Sequence, residues 1–167
     1  IPLRSPGKPL RDCRFLLVLE HPACPTDDAV RGPIEAAAAE LERAGMTVDR
    51  ASELVPELER QQAEYMRMLN VAMARGMPAP DGKRASATDW FDMLDAQARN
   101  ENAWDHLFET YDFVLAPPAP VLAVPHREGR VFDGTITING AEQPAGTALC
   151  WAGLATYPNL PATVLPV

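Results

Sequence analysis

Two periodicities organise the apolar positions of this chain. Phe15 to Leu19 (FLLVL) is an unbroken apolar run, the pattern of a strand buried on both faces. After a loop holding Pro22 and Pro25, the spacing of Val30, Ile34, Ala37, Leu41 and Ala44 predicts a helix, which Gly45 ends. Asp27 and Asp28 suit its positive end. Pro33 sits deep in its first turns, so the helix either begins near Gly32 and Pro33 or kinks there. Met46 to Asp49 (MTVD) alternates as a second strand, giving a strand–helix–strand unit with two parallel strands.

The same reasoning extends along the rest of the chain. Leu58, Tyr65, Leu69, Ala72 and Met73 mark the apolar face of a second helix, from Glu57 to Arg75, closed by Gly76. Met77 to Ser86 is a polar, proline-rich connection, and Thr88 is placed to cap a third helix ending near Glu109. Tyr111 to Ala116 (YDFVLA) leads into a third buried strand, followed by a loop held by Pro117, Pro118, Pro120 and Pro125. Thr135 to Ile138 alternates as a short strand before an Asn139-Gly140 turn. Gly146 to Thr156 reads as a short apolar helix, and Leu160 to Val167 as a last apolar strand. The expected architecture is one α/β domain over residues 1–167, with a mixed, partly parallel sheet covered by helices.

Composition narrows the partners. With 47% hydrophobic residues the 167-residue chain can build a core, and its 23% charged residues are too few for a disordered chain. The net charge of −8 argues against nucleic acid, which needs clustered Lys and Arg, and against anionic membranes. Neither a membrane-spanning run nor the apolar segment of a signal peptide is present. Cys13, Cys24 and Cys150 are odd in number and unrelated in spacing, so a reducing, cytoplasmic setting is expected rather than a disulfide framework. Because the chain begins at Ile1 and not at a Met, it is expected to be a piece of a longer protein.

A search for chemistry-bearing residues finds little. The three serines, Ser5, Ser52 and Ser86, fall in polar loops and lie in no glycine-rich turn. Lys8 and Lys83 sit in polar segments, where burial cannot lower a lysine pKa. Glu40, Glu42, Glu53, Glu57 and Glu59 are interspersed with Arg43 and Arg60 as on solvated helix faces. Met66, Met68, Met73 and Met77 read as core filling. His21 and Cys24 share a loop after a buried strand, where open α/β sheets bind ligands. They could form a Cys–His pair, or a metal site with Cys13, against the commoner outcome of simple packing. His106 and His126 are isolated. No catalytic residue, metal ligand or cofactor motif stands out.

Three stretches nevertheless resemble the later part of amidase signature enzymes. In Asp12 to Val48, a strand, His21-Pro22, a Pro25-Thr26-Asp27 loop, an alanine-rich helix and a strand opened by Gly45 follow the order of that family. Trp104 to Pro120 (WDHLFETYDFVLAPPAP) is similar to its helix, strand and Pro-x-x-Pro loop. Ile136 to Val167 carries Ile-Thr-Ile-Asn-Gly, then Trp151-Ala-Gly-Leu-Ala, then Asn159-Leu-Pro-Ala and Val164-Leu-Pro, with Asn159 where the family more often has glycine.

The resemblance implies amide hydrolysis by a Ser–cis-Ser–Lys triad placed upstream of the matched region. No Gly-Gly-Ser-Ser-Gly stretch exists here, so no catalytic residue carries over and this chain alone is expected to be inactive. Its implied partners are a small-molecule amide and the missing amino-terminal half of the domain, with a homodimer left open. The rival reading is a non-catalytic α/β binding or interaction module. In the intact enzyme the Ala116–Ala123 loop and the helix carrying Trp151 are expected to line the substrate pocket, through Ala116, Pro117, Leu122 and Trp151. Gly153 would leave room beside Trp151, whose alternative role is packing in the core.

Overall fold

A computed structural model describes residues 7–79, 82–125 and 133–167. The chain folds as β1 (Arg14–Leu17), α1 (Asp28–Arg43), β2 (Thr47–Asp49), α2 (Leu58–Ala74), α3 (Ala87–Phe108), β3 (Phe113–Leu115), β4 (Thr135–Ile138), β5 (Ala141–Pro144) and α4 (Leu149–Thr156). It is an α/β arrangement. A three-stranded sheet in the order β2-β1-β3 has both its pairings parallel, and β4 and β5 form a separate antiparallel hairpin. The apolar run at Phe15 is therefore the central strand. Alternate side chains enter two cores: Phe15, Leu17 and Leu19 pack with Val30, Ile34 and Ala38 of α1, while Leu16 and Val18 pack with Leu58, Trp104, Leu107 and α4. Burial on both faces explains why this strand shows no polar alternation.

Local chemistry sets the helix boundaries. Asp27 caps α1 by accepting from the Ala29 N–H (2.9 Å), so the helix starts at Asp28 and Pro33 lies inside it. Pro33 and Ala29 are both exposed, so water can satisfy the Ala29 carbonyl that loses its helical partner. α3 is capped by Ser86 and not by Thr88. Ser86 Oγ accepts from the Asp89 N–H (3.1 Å), and the Asp89 carboxylate accepts from the Ser86 N–H (2.8 Å), a reciprocal box that Thr88 cannot form. Asn139 and Gly140 take φ of 48° and 80°, the pair of left-handed conformations that a two-residue hairpin turn demands. β5 follows that turn although Ala-Glu-Gln-Pro has little strand propensity, because buried Ile136 and Ile138 fix its partner.

Two expectations fail. Leu160–Val167 forms no strand and joins neither sheet: residues 161–167 are exposed, with Val164 at 73% and Leu165 at 71%. A strand needs a neighbour to pair its backbone, none of the described strands runs beside this segment, and Pro161 and Pro166 carry no N–H to offer. Met73 and Met77 do not fill a core either, being 74% and 68% exposed.

One buried side chain joins the helices. Gln61 of α2 donates to the Gly153 and Leu154 carbonyls of α4 (both 3.1 Å). Its own carbonyl accepts from Trp104 Nε1 (2.9 Å) and Asn100 Nδ2 (3.1 Å) of α3.

Candidate functional site

The order of the strands locates the crevice. From β1 the chain passes through α1, on one face of the sheet, to β2 on one side. It then returns through α2 and α3, on the other face, to β3 on the opposite side of β1. The direction of winding reverses between β1 and β3, and open α/β sheets bind ligands just outside the carboxyl ends of such a pair. The segments there are 18–27 and 116–125. The Asp27 N–H joins them by donating to the Pro120 carbonyl (2.8 Å), and the Val18 N–H ties the start of the first to the Leu115 carbonyl at the end of β3 (2.8 Å).

Four predicted pocket residues lie on or beside these segments in different settings. Ala116 packs against the core cluster that contains Trp151, and Pro117 is buried. Trp151 is only 3% exposed, and its ring meets that of His21 edge to face, 5.4 Å between centroids. Leu122 stands 64% exposed, outside that cluster. Gly153 does not leave room for a ligand. A methyl group there would come within 2.7 Å of the Tyr65 ring, so its bare backbone is what lets α2 approach α4.

His21 and Cys24 do come together, through an antiparallel backbone bridge, but not as a nucleophile and its base. His21 Nδ1 accepts from the Ala23 N–H (3.1 Å), which occupies that lone pair. Burial lowers the His21 pKa and keeps the imidazole neutral. Cys24 is 1% exposed, and its sulfur accepts from the Thr147 hydroxyl (3.4 Å). Cys150, its neighbour in the same cluster, has its thiol pushed up to about 12 by burial, the setting of an inert structural cysteine. Cys13 packs on the opposite face of the sheet, so no Cys13–His21–Cys24 metal site can form. Among the described residues no three His, Cys, Asp or Glu side chains are grouped to hold a metal ion. His106 is exposed beside Glu109, and His126 lies outside the described residues.

A cavity of about 350 Å³ opens on the other flank of β1, over the carboxyl ends of β1 and β2, with Leu19, Val55 and Leu58 inside and Arg31, Glu35 and Arg50 at its rim. Its cations are already neutralised. Arg31 pairs with Glu20 and with Glu35 (3.2 Å), and Arg50 with both Glu42 oxygens (2.6 and 2.9 Å). Among the described residues no free charge is left there to hold an ionic ligand.

Thr26 Oγ1 and Trp151 Nε1 are buried without a hydrogen-bond partner among the described residues. The sequence singles out Trp151 as a pocket residue but not Thr26, and it shows neither as unpartnered, because orphaned groups depend on contacts that no local pattern encodes.

No family model and no curated protein sequence matches the chain. Its fold does have solved counterparts. One is the crystal structure of a bacterial aryl acylamidase belonging to the amidase signature enzymes, with a TM-score of 0.59 and 16% sequence identity. The match covers 93% of this chain but only 38% of that one. At such identity the likeness establishes the fold. Among the described residues no helix is long and apolar enough to cross a membrane.

Proposed function

We propose that this chain is the carboxy-terminal part of an amidase signature hydrolase, which in the intact protein cleaves a carboxamide C–N bond. The observation that carries this reading is the overlay of nearly the whole chain (93%) on a minor share (38%) of an aryl acylamidase, joined to the Trp104–Pro120 pattern. The nucleophile would come from a Ser–cis-Ser–Lys triad upstream. A hydroxyl attacks an amide only when a neighbouring base takes its proton and fixed donors receive the developing oxyanion. This chain supplies the floor and one wall of the pocket, with Ala116, Pro117, Leu122 and Trp151 facing the substrate. The exposed apolar tail at Val164 and Leu165 fits a strand awaiting a partner in the missing half.

The test is hydrolysis of a simple anilide, 4-nitroacetanilide, by the intact protein. Release of 4-nitroaniline is expected, with none from residues 1–167 alone. An intact protein with no turnover on anilides or aliphatic amides would instead favour the binding-module reading.

A further inference from the structure

The core treats its two buried indoles differently. Trp104, 1% exposed, has Gln61 placed against its N–H at 2.9 Å. Trp151, 3% exposed, has no acceptor among the described residues. A buried N–H without a partner is costly, and folded proteins rarely leave one without a reason. The neighbouring ring also carries an N–H without a protein acceptor among these residues, though not a fully buried one. Because His21 Nδ1 accepts from the Ala23 N–H, the neutral imidazole carries its proton on Nε2, and no acceptor for that proton occurs among the described residues. The two rings meet edge to face at 5.4 Å, and His21 follows the carboxyl end of β1 at the point where the winding of the sheet reverses.

We propose that His21 Nε2–H and Trp151 Nε1–H form the donor end of the ligand crevice and together bind a carbonyl oxygen of a small neutral molecule. Two neutral donors set in an apolar wall select an uncharged acceptor, since nothing described beside them offsets a carboxylate charge. Burial also holds His21 in this donor form across neutral pH. The inference rests on the placement of the pocket made above, but not on amide cleavage, and binding alone can test it.

Proton–nitrogen correlation spectra of the ¹⁵N-labelled protein provide the readout, with benzamide as the carbonyl probe and toluene as the control without an acceptor. The Trp151 indole signal, identified by its loss in Trp151→Phe, is expected to shift saturably with benzamide and not with toluene. The Trp104 indole, already bonded to Gln61, should not move. Trp151→Phe and His21→Phe should each weaken benzamide about tenfold, as for one lost hydrogen bond, read at the Ala116 and Val121 amides. Trp151→Phe should not lower the melting temperature of the ligand-free protein, because its N–H has no partner among the described residues, whereas His21→Phe also removes the acceptor of the Ala23 N–H and should lower it. If benzamide moves the Ala116 and Val121 amides but spares the Trp151 indole, the donor pair is refuted while the crevice stands. If it moves none of them, the crevice is refuted as well. A lower melting temperature in Trp151→Phe with unchanged benzamide affinity would make the indole N–H a structural group and also overturn the proposal.

Discussion

Replacing Gln61 with Leu should loosen α4 from the helices beneath it. The side chain is 3% exposed and makes four hydrogen bonds, so a near-isosteric Leu removes polar contacts with little change in volume. Not all four losses weigh equally. The Gly153 carbonyl keeps its helical bond from the Tyr157 N–H, and Asn100 is only partly buried. The Trp104 indole, 1% exposed, and the Leu154 carbonyl are left with nothing. Orphaning two buried groups costs about 2–6 kcal/mol. The added apolar side chain returns about 1.5 kcal/mol of that. A net loss of about 3 kcal/mol lowers the melting temperature of a chain this size by roughly 6–12 °C. Urea denaturation should show the same loss as a lower midpoint at unchanged slope. A double-mutant cycle with Trp104→Phe should return a coupling of about 1 kcal/mol or more. A Gln61→Leu protein within about 0.5 kcal/mol of the parent, or additive with Trp104→Phe, would refute this view of the network.

Other substitutions probe separate joints of the fold. Gly153→Ala places a methyl group within 2.7 Å of the Tyr65 ring and should destabilise by about 1–3 kcal/mol in urea titrations, relieved in part by Tyr65→Ala. Ser86→Ala opens the capping box of α3 and should cost about 1 kcal/mol, measured by thermal melting. Asp27 accepts from the Asn139 and Ala29 N–H groups, which hold its carboxyl below the ordinary 3.8. Its stabilising contribution is thus complete above pH 3.8 and fades as pH falls further, so Asp27→Asn should flatten the acid limb of stability against pH.

How far the chain could be read in advance follows from where each decision is made. β1 is legible because burial on two faces writes itself as a local apolar run, β2 because Met46 to Asp49 alternates, and α1 and α2 because Gly45 and Gly76 mark their ends. β3 is legible from its apolar run too, although Phe113 is 40% exposed and the strand is not buried on both faces. The cap of α3 was misplaced by two residues because both Ser86 and Thr88 suit the position, and only the reach of Asp89 decides between them. β5 and the tail were misread for opposite versions of one reason. A weak strand sequence was recruited by a partner, and a strong one at Thr163 to Leu165 has no partner among the described strands. The crevice was half legible: a loop after a buried strand is a fair place to look, but the reversal of winding between β1 and β3 depends on strand order, which no local pattern holds. Gly153 reads as empty space in the sequence because the ring that fills it comes from Tyr65, far away along the chain.

The central position of β1 also constrains the time course of folding. Its pairing with β2 brings together residues 35 apart, as in the contact of Arg14 with Asp49. Its pairing with β3 must close 98 residues, and the clasp between Asp28 and Asn139 closes 111. Entropy therefore favours the β1–α1–β2 unit as the early nucleus, with β3 and the hairpin arriving later. Until they dock, Leu16 and Val18 face water along a strand with one open edge, and this interval is when the nascent chain is most exposed to aggregation.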